Sequence, residues 1–190
     1  MTQIPILEGY GCRLRPVDVT DADFIVKLRN QPFAKGMIHS TSLSIDKQVE
    51  WIQKWQERCD DYYWIIEDIK NSYAPIGTIG FYDIEKSLSE GMPGRWVMLP
   101  QVNINIMSPF VLLYKFVFEE LKINRVIMDV VETNKKVRRF HQLYGAKQVV
   151  LPKRYEGMEV DVGISLVWYE FRKKQWPEMF AYWHSILEMY

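Results

Sequence analysis

Cysteine is scarce in this chain: Cys12 and Cys59 are the only two in 190 residues. Two thiols so far apart make no disulfide framework, and a reduced pair of bystanders is expected. Net charge is missing too, with 24 Lys and Arg against 24 Asp and Glu. No global field therefore draws the chain to nucleic acid or to an anionic membrane. No uninterrupted apolar run reaches the ~18 residues of a membrane span. The N-terminus lacks a basic stretch followed by an apolar one, so no signal peptide is expected and the cytoplasm is the expected compartment. Repeats, low-complexity segments and linkers are absent as well. One domain over residues 1–190 is the expectation, with a core from about 12 to 171 and a helical extension over 176–190. No metal is expected. What the chain has in excess is aromatic rings, 14% of residues with seven Trp. Most should be core, and a surplus would line a pocket or an oligomer contact.

The stretch Arg95–Gly145 organises the rest. RWVML reads as a strand, PQVNINIMS as a connector, PFVLLYKFVFEEL as a long apolar helix and RVIMDVV as a second strand. That is a βαβ unit with parallel strands. A polar elbow, ETN, leads into a further helix, KKVRRFHQLYG. Ligands in α/β sheets favour the crevice beyond strand ends and near helix N-termini. The connector and the elbow at Asn134 are two such places.

Upstream, residues 12–17 alternate as a strand. Thr20 with Asp23 is a capping-box-like start to a helix that ends near Arg29-Asn30, before Pro32. Residues 31–43 lack a period. Ser44 caps a helix with the stripe Ile45, Val49, Ile52 and Trp55 or Gln56. Tyr62–Asp68 and Pro75–Glu85 form an antiparallel hairpin, with glycines suggesting a bulge. Ser87–Gly94 reads as a loop. Downstream come strands over 147–151 and 160–171. Trp176-Pro177 opens a last helix. Its two apolar stripes (Met179, Tyr182, Ile186, Met189 and Phe180, Trp183, Leu187, Tyr190) pack on the sheet or meet a second copy. The fold class is α/β: a mixed sheet of about seven strands with helices on both faces and a C-terminal helix.

From Arg13 to Phe171 this order resembles the GNAT acyltransferase family. The most telling stretch is FVFEELKINRVIMDVVETNKKVRRFHQLYGAK. At the front, RLRPVDVTDADFIVKLRN followed by a Pro resembles a branch of ribosomal-protein N-terminal and nucleotide-linked amino-sugar acetyltransferases, and FAKGMIHSTSLSIDKQVEWIQKW looks closer to the amino-sugar side. The resemblance implies acetyl-CoA as co-substrate and a primary amine as acceptor, a nucleotide-linked amino sugar among the classes. It leaves two alternatives: acetylation of a protein N-terminus, and a GNAT-shaped binding protein that has lost CoA.

The family's pyrophosphate loop runs Gln or Arg, two residues, Gly, one residue, then Gly or Ala. Main-chain amides at a helix start then face phosphate oxygens. The matching residues are Gln101, Val102, Asn103, Ile104, Asn105 and Ile106. Gln101 fits, but both small positions carry Ile, which disfavours positive φ. Three readings follow. The loop presents its amides with the Ile side chains turned inward; the register shifts, so that Asn105, Ser108 and the start at Pro109 hold the phosphates; or CoA binding is gone. The resemblance also assigns Val97, Met98 and Leu99 to the strand that pairs with pantetheine, and Asn134 to the CoA arm. Asn134 is equally a plain helix cap.

The family often uses a Tyr on the second helix as general acid. Here that position is His141, with Tyr144 one turn on, and an ordinary His can donate near neutral pH. Some members carry a basic carboxylate five residues before the Asn, which is Asp129, the lone charge in VIMDVV. Glu132, Asp83 and Glu85 are alternatives. The acceptor is expected against the first two helices and the hairpin, within reach of Arg29, Asn30, His39, Trp51, Tyr82 and Arg95.

Overall fold

The structure is a computed structural model that describes residues 3–38, 41–100, 102, 104–157 and 163–189. Eight strands form one mixed sheet in the order β1-β2-β3-β4-β5-β6-β8-β7. They are β1 Leu7–Gly9, β2 Cys12–Pro16, β3 Tyr62–Asp68, β4 Ala74–Glu85, β5 Glu90–Met98, β6 Arg125–Val131, β7 Lys147–Val149 and β8 Leu166–Arg172. Five helices accompany them: α1 Ala22–Arg29, α2 Ile45–Gln56, α3 Met107–Lys115, α4 Lys135–Leu143 and α5 Trp176–Leu187. The mixed α/β class is as expected, with one strand more: β1 is three residues long and sits between Pro5 and the Tyr10-Gly11 turn, too short to show a period.

Alternation along the strands sorts the core into layers. Tyr62, Trp64 and Ile66 join α3, α4 and α5 in the main core, while Tyr63 and Ile65 face α1 and α2 in a second cluster. Helix α3 is apolar all round, and Met107 through Tyr114 are all buried. Such a helix must lie inside the molecule. It runs on into a wide turn over Phe116–Glu120, where the Leu121 N–H reaches back five residues to the Phe116 carbonyl. Helix α5 packs on α3 through Trp176, Met179 and Leu187, while Tyr182 on its outer side stays exposed. Tyr190 lies outside the described residues. Both cysteines are free thiols, Cys12 buried and Cys59 exposed. Among the described residues no helix is long and apolar enough to cross a membrane.

Three boundaries differ from expectation. The first helical segment is capped by Asp18, not Thr20. The Asp18 carboxylate accepts from the Thr20 N–H while Asp21 reaches back to the Asp18 N–H. The expected loop Ser87–Gly94 is half strand, since β5 begins at Glu90. Its glycines make room for rings rather than for turns. A Cβ on Gly91 would stand 2.5 Å from Phe81 Cζ, and one on Gly94 would stand 2.3 Å from the Tyr82 hydroxyl. Finally, β8 starts at Leu166, with a turn at Gly163, and residues 160–162 of the expected strand lie outside the described residues.

Candidate active site

Strands β5 and β6 are parallel neighbours whose pairing is confined to Glu90↔Arg125 and Gly91↔Val126. Beyond that they diverge. The cause on β5 is a bulge: its register against β4 slips between Thr78 and Gly80, and Arg95 adopts φ +51°. An extra residue bends the strand that carries it. The Thr78 hydroxyl donates to the Arg95 carbonyl at 2.7 Å and fixes the bend. Strand β6 does not follow, because it stays paired with β8 along its whole length. Ion pairs pin the closed end: Arg125 to Glu90 at 3.0 Å and to Glu170 at 2.8 Å, and Arg154 to Glu90 at 3.3 Å.

A cavity of about 200 Å³ fills the gap. Pro93 to Trp96 form one wall, Met128 to Val131 the other, and α4 closes one side with Asn134, Val137 and His141. Asp129 lies on the strand face opposite Met128 and Val130, and is half-buried. Among the described lining residues it is the one carboxylate, facing Arg29, Arg95 and His141 around the cavity. His141 is buried, its ring stacked on Tyr169 at 5.4 Å. Burial holds its imidazole down, to about 4, with the Asp129 charge opposing. At neutral pH His141 is therefore uncharged, and the imidazolium donor expected from an ordinary histidine is not present.

Tyr144 does not line the cavity. It stands behind His141, with its hydroxyl 2.5 Å from Nδ1 and 2.9 Å from Met128 Sδ. A ring nitrogen is a far better acceptor than a thioether. With the phenol donating to Nδ1 the neutral ring carries its hydrogen on Nε2; with the phenol donating to Met128 Sδ, Nδ1 carries it and donates to the phenol oxygen. Burial pushes the Tyr144 phenol well up, with Tyr114 adding to the shift, so it too stays neutral. Tyr82 lies across the cavity from His141, its phenol raised by burial and by the Asp129 charge.

The connector to α3 answers part of the question posed by its two isoleucines. Ile104 packs on the main core, Ile106 is 55% exposed, and neither lines the cavity. Neither adopts a positive φ. Asn105, however, consumes the start of α3. Its side-chain oxygen accepts from the Met107 N–H and its carbonyl from the Ser108 N–H, both at 2.9 Å. The Ser108 hydroxyl donates to the Tyr10 carbonyl at 3.0 Å, and Pro109 has no N–H. The shifted-register reading thus loses its donors, and phosphates would have to meet the amides of residues 104–106. Gln101 and Asn103 lie outside the described residues. Asn134 caps α4, accepting from the Val137 N–H at 3.2 Å, and also lines the cavity. Val97 and Met98 pair with Thr78 and Gly77, and the Leu99 N–H donates to the Ile76 carbonyl at 2.9 Å. The wall of the cavity is made by the four residues before them.

Trp96 was not among the expected site residues. It meets Phe140 of α4 edge to face at 5.1 Å and stacks on Phe110 at 5.8 Å. The two sides of the splay therefore touch at this point. Among the described residues its indole N–H is buried without a partner.

The acceptor residues divide. Arg29, Tyr82 and Arg95 line the cavity, and Trp51 lines an adjoining outer cleft. Asn30 turns its amide back onto the Val26 carbonyl at 2.9 Å, a helix end, and His39 lies outside the described residues. The bidentate fork of Arg95 is already engaged: Nη1 and Nη2 donate to Asp61 at 2.5 and 2.9 Å. Its guanidinium lies within 5.3 Å of the ring centres of Trp51, Tyr63 and Tyr82. It is not available as a phosphate clamp. Arg29 donates from Nε to the Thr41 hydroxyl at 2.6 Å, which aims its guanidinium between the cavity and the outer cleft.

Solved structures share this architecture over almost the whole chain. Apo FdhC, a nucleotide-linked sugar GNAT, is 26% identical with a TM-score of 0.79, over 97% of this chain and 99% of that one. A GCN5-related N-acetyltransferase from Brucella melitensis is 17% identical with a TM-score of 0.80, over 98% and 86%. A mutant of the spermidine N-acetyltransferase SpeG from Vibrio cholerae is 15% identical with a TM-score of 0.72, over 89% and 98%. No curated protein matches the sequence. The model of the acetyltransferase (GNAT) domain matches residues 12–147, from β2 to the start of β7 and across both walls of the cavity, and on that match the chain belongs to the GNAT acetyltransferase family.

Proposed function

We propose that this chain transfers an acetyl group from acetyl-CoA to the primary amine of a small acceptor that also carries negative charge, a nucleotide-linked amino sugar being the class that fits. The observation that carries this is the likeness to a nucleotide-linked sugar GNAT along nearly the full chain. Among the described residues the cavity lining holds a single carboxylate, Asp129, where a polyamine with its several cations would want more anionic partners.

Bound acetyl-CoA would supply an activated thioester carbonyl, its arm held in the gap by the free edge of β5 and by Asn134. The residues of this chain do the rest. Asp129 accepts the proton of the attacking amine at its carboxylate. His141, kept neutral and oriented by Tyr144, presents Nε2–H to the negative charge that builds at the reacting carbonyl. Tyr82, packed against Gly94, shapes the acceptor side. Thiol release, followed with acetyl-CoA and a panel of nucleotide-linked amino hexoses, tests the reading. Activity on simple amines or N-terminal peptides with none on that panel would move the acceptor class elsewhere.

A second reading, a binding protein without CoA, draws support from the occupied amides of Met107 and Ser108 and from the Trp96–Phe140 contact. Calorimetric titration separates the two. Heat of binding at micromolar to millimolar acetyl-CoA keeps the enzyme, and none, with no thermal shift, leaves the binder.

A further inference from the structure

We infer that the pocket between β8, the short edge strand β7 and the turn at residues 153–157 is an apolar subsite for the acceptor, entered over Leu166, with the Tyr155 hydroxyl as its hydrogen-bonding group. The part of the acceptor it takes is uncharged and largely apolar, and carries one polar atom. The inference deepens the acetyltransferase reading, on which it rests for the occupant being the acceptor. Three observations converge. The first is position. Leu166 lines both this pocket and the inner cavity. It stands opposite Val131 in the register of β6 and β8, and Trp168 stands opposite Asp129. Residues directly opposite share a face of the sheet, and alternate residues along a strand return to it. The pocket therefore lies on the Asp129 face, while Met128 and Val130 turn to the main core with α3 and α4. A donor arm held at Asn134 fills the gap from the helix side, so an acceptor that meets Asp129 extends along this face.

The second is the lining. The pocket measures about 470 Å³, inside the ~300–1,000 Å³ usual for a ligand site. Val149, Leu151, Leu166 and Trp168 give it apolar walls, and no charged side chain lines it among the described residues. Val150 and Leu151 leave apolar surface open to solvent at its mouth, 87% and 44% exposed. The third is an unmet hydroxyl. Tyr155 is buried with its ring stacked on Trp168 at 4.8 Å, and among the described residues its hydroxyl has no hydrogen-bond partner. A phenol both donates and accepts, and burying one unpaired works against folding. The turn that carries it is held firmly. Arg154 donates to the Asp83 carbonyl at 2.6 Å and to Glu90 at 3.3 Å, the same Glu90 that pins the closed end of the splay. An unpaired hydroxyl fixed in the wall of an apolar pocket is accounted for by a polar atom that a ligand brings to it.

Two probes test the pocket without any acyl donor: p-cresol, an apolar ring with one hydroxyl, and toluene, the same ring without it. The full chain and its Tyr155→Phe and Leu151→Asp variants are titrated with each by protein-observed NMR, with and without saturating CoA. Both probes should bind at millimolar concentration, with shifts centred on Val149, Leu166 and Trp168 that persist when CoA is added. Tyr155→Phe should lower the preference for p-cresol over toluene about five- to tenfold, the worth of one hydrogen bond to an otherwise unmet hydroxyl. Leu151→Asp should weaken both probes. In the acetyl-transfer assay p-cresol should raise the KM of the amine and leave that of acetyl-CoA unchanged. Several results overturn the inference: no shift from either probe, a preference untouched by Tyr155→Phe, displacement of the probes by CoA, or p-cresol that binds without competing with the amine. A wild-type dimer that Leu151→Asp separates would make this edge an interface between copies and overturn it as well. Acetyl-CoA failing to bind would sink the acetyltransferase reading, yet the probe titration would still decide the pocket.

Discussion

The Nδ1 atom of His141 lies 2.5 Å from the hydroxyl of Tyr144, and burial keeps the ring neutral down to about pH 4. The unfolded chain takes up this proton near pH ~6.5, the folded chain only near 4. Stability owed to the neutral ring is thus complete above pH 6.5 and lost as pH falls toward 4, by at most about 3 kcal/mol. Urea unfolding of wild type and His141→Gln at pH 7.5 and 4.5 isolates this difference. The wild type should lose more stability on acidification than the variant, and equal losses would mean that the ring is protonated in the folded protein. In the acetyl-transfer assay the same variant should lower kcat by ~10²-fold with the acetyl-CoA KM near wild type.

Asp129 sits in a strand register where its neighbours Ile127 and Val131 are apolar, which makes a structural carboxylate costly there. Asp129→Asn keeps the shape and removes the proton acceptor. Acetyl transfer should fall ~10²–10⁴-fold, and raising pH should restore part of it as free amine accumulates in solution. A variant with wild-type turnover and an unchanged pH profile would reduce Asp129 to a sheet residue.

Much of this architecture was legible in local pattern. The period of β2, the Ser44 cap and the apolar α3 follow from residue spacing that tertiary structure did not override. The site was legible where it sits on such elements: Asp129 interrupts an apolar strand, and Asn134 marks a helix start. What stayed hidden depends on contacts between distant residues. Glu90–Gly94 reads as loop because nothing local says that Phe81 and Tyr82 need the space of two glycines. The neutrality of His141 comes from burial, and the engagement of Arg95 comes from Asp61, 34 positions away. The signal for Asp61 was weak, a carboxylate just before an aromatic strand.

The Asp61–Arg95 pair ties the bulge of β5 to the strand two places away in the sheet, β3. Both side chains are largely buried, 8% and 15% exposed. Removing one partner strands the other charge, so Asp61→Ala should cost roughly 3 kcal/mol. Asp61→Ala with Arg95→Met should recover part of that, giving a coupling well above the ~0.5 kcal/mol of independent sites. An additive double-mutant cycle in denaturant unfolding would show that the pair does not hold the bulge.

Trp96 offers the sharpest separation of stability from binding. Among the described residues its indole N–H is buried without a partner beside the cavity, and an unmet donor of this kind costs about 1–3 kcal/mol. Trp96→Phe deletes the donor while leaving a ring against Phe110 and Phe140. If the N–H is an idle cost, the variant is as stable as wild type or more so, and acetyl-CoA binds it equally well. If the N–H awaits an acceptor on the donor's arm, stability still holds but acetyl-CoA affinity drops by about five- to tenfold. We expect the second pattern, because a buried donor kept at its own cost in the wall of a ligand cavity is explained by the group it will meet there. Unchanged affinity in calorimetric titration would overturn that, and would leave the Trp96–Phe140 contact as a seal across the gap and the binding-protein reading strengthened.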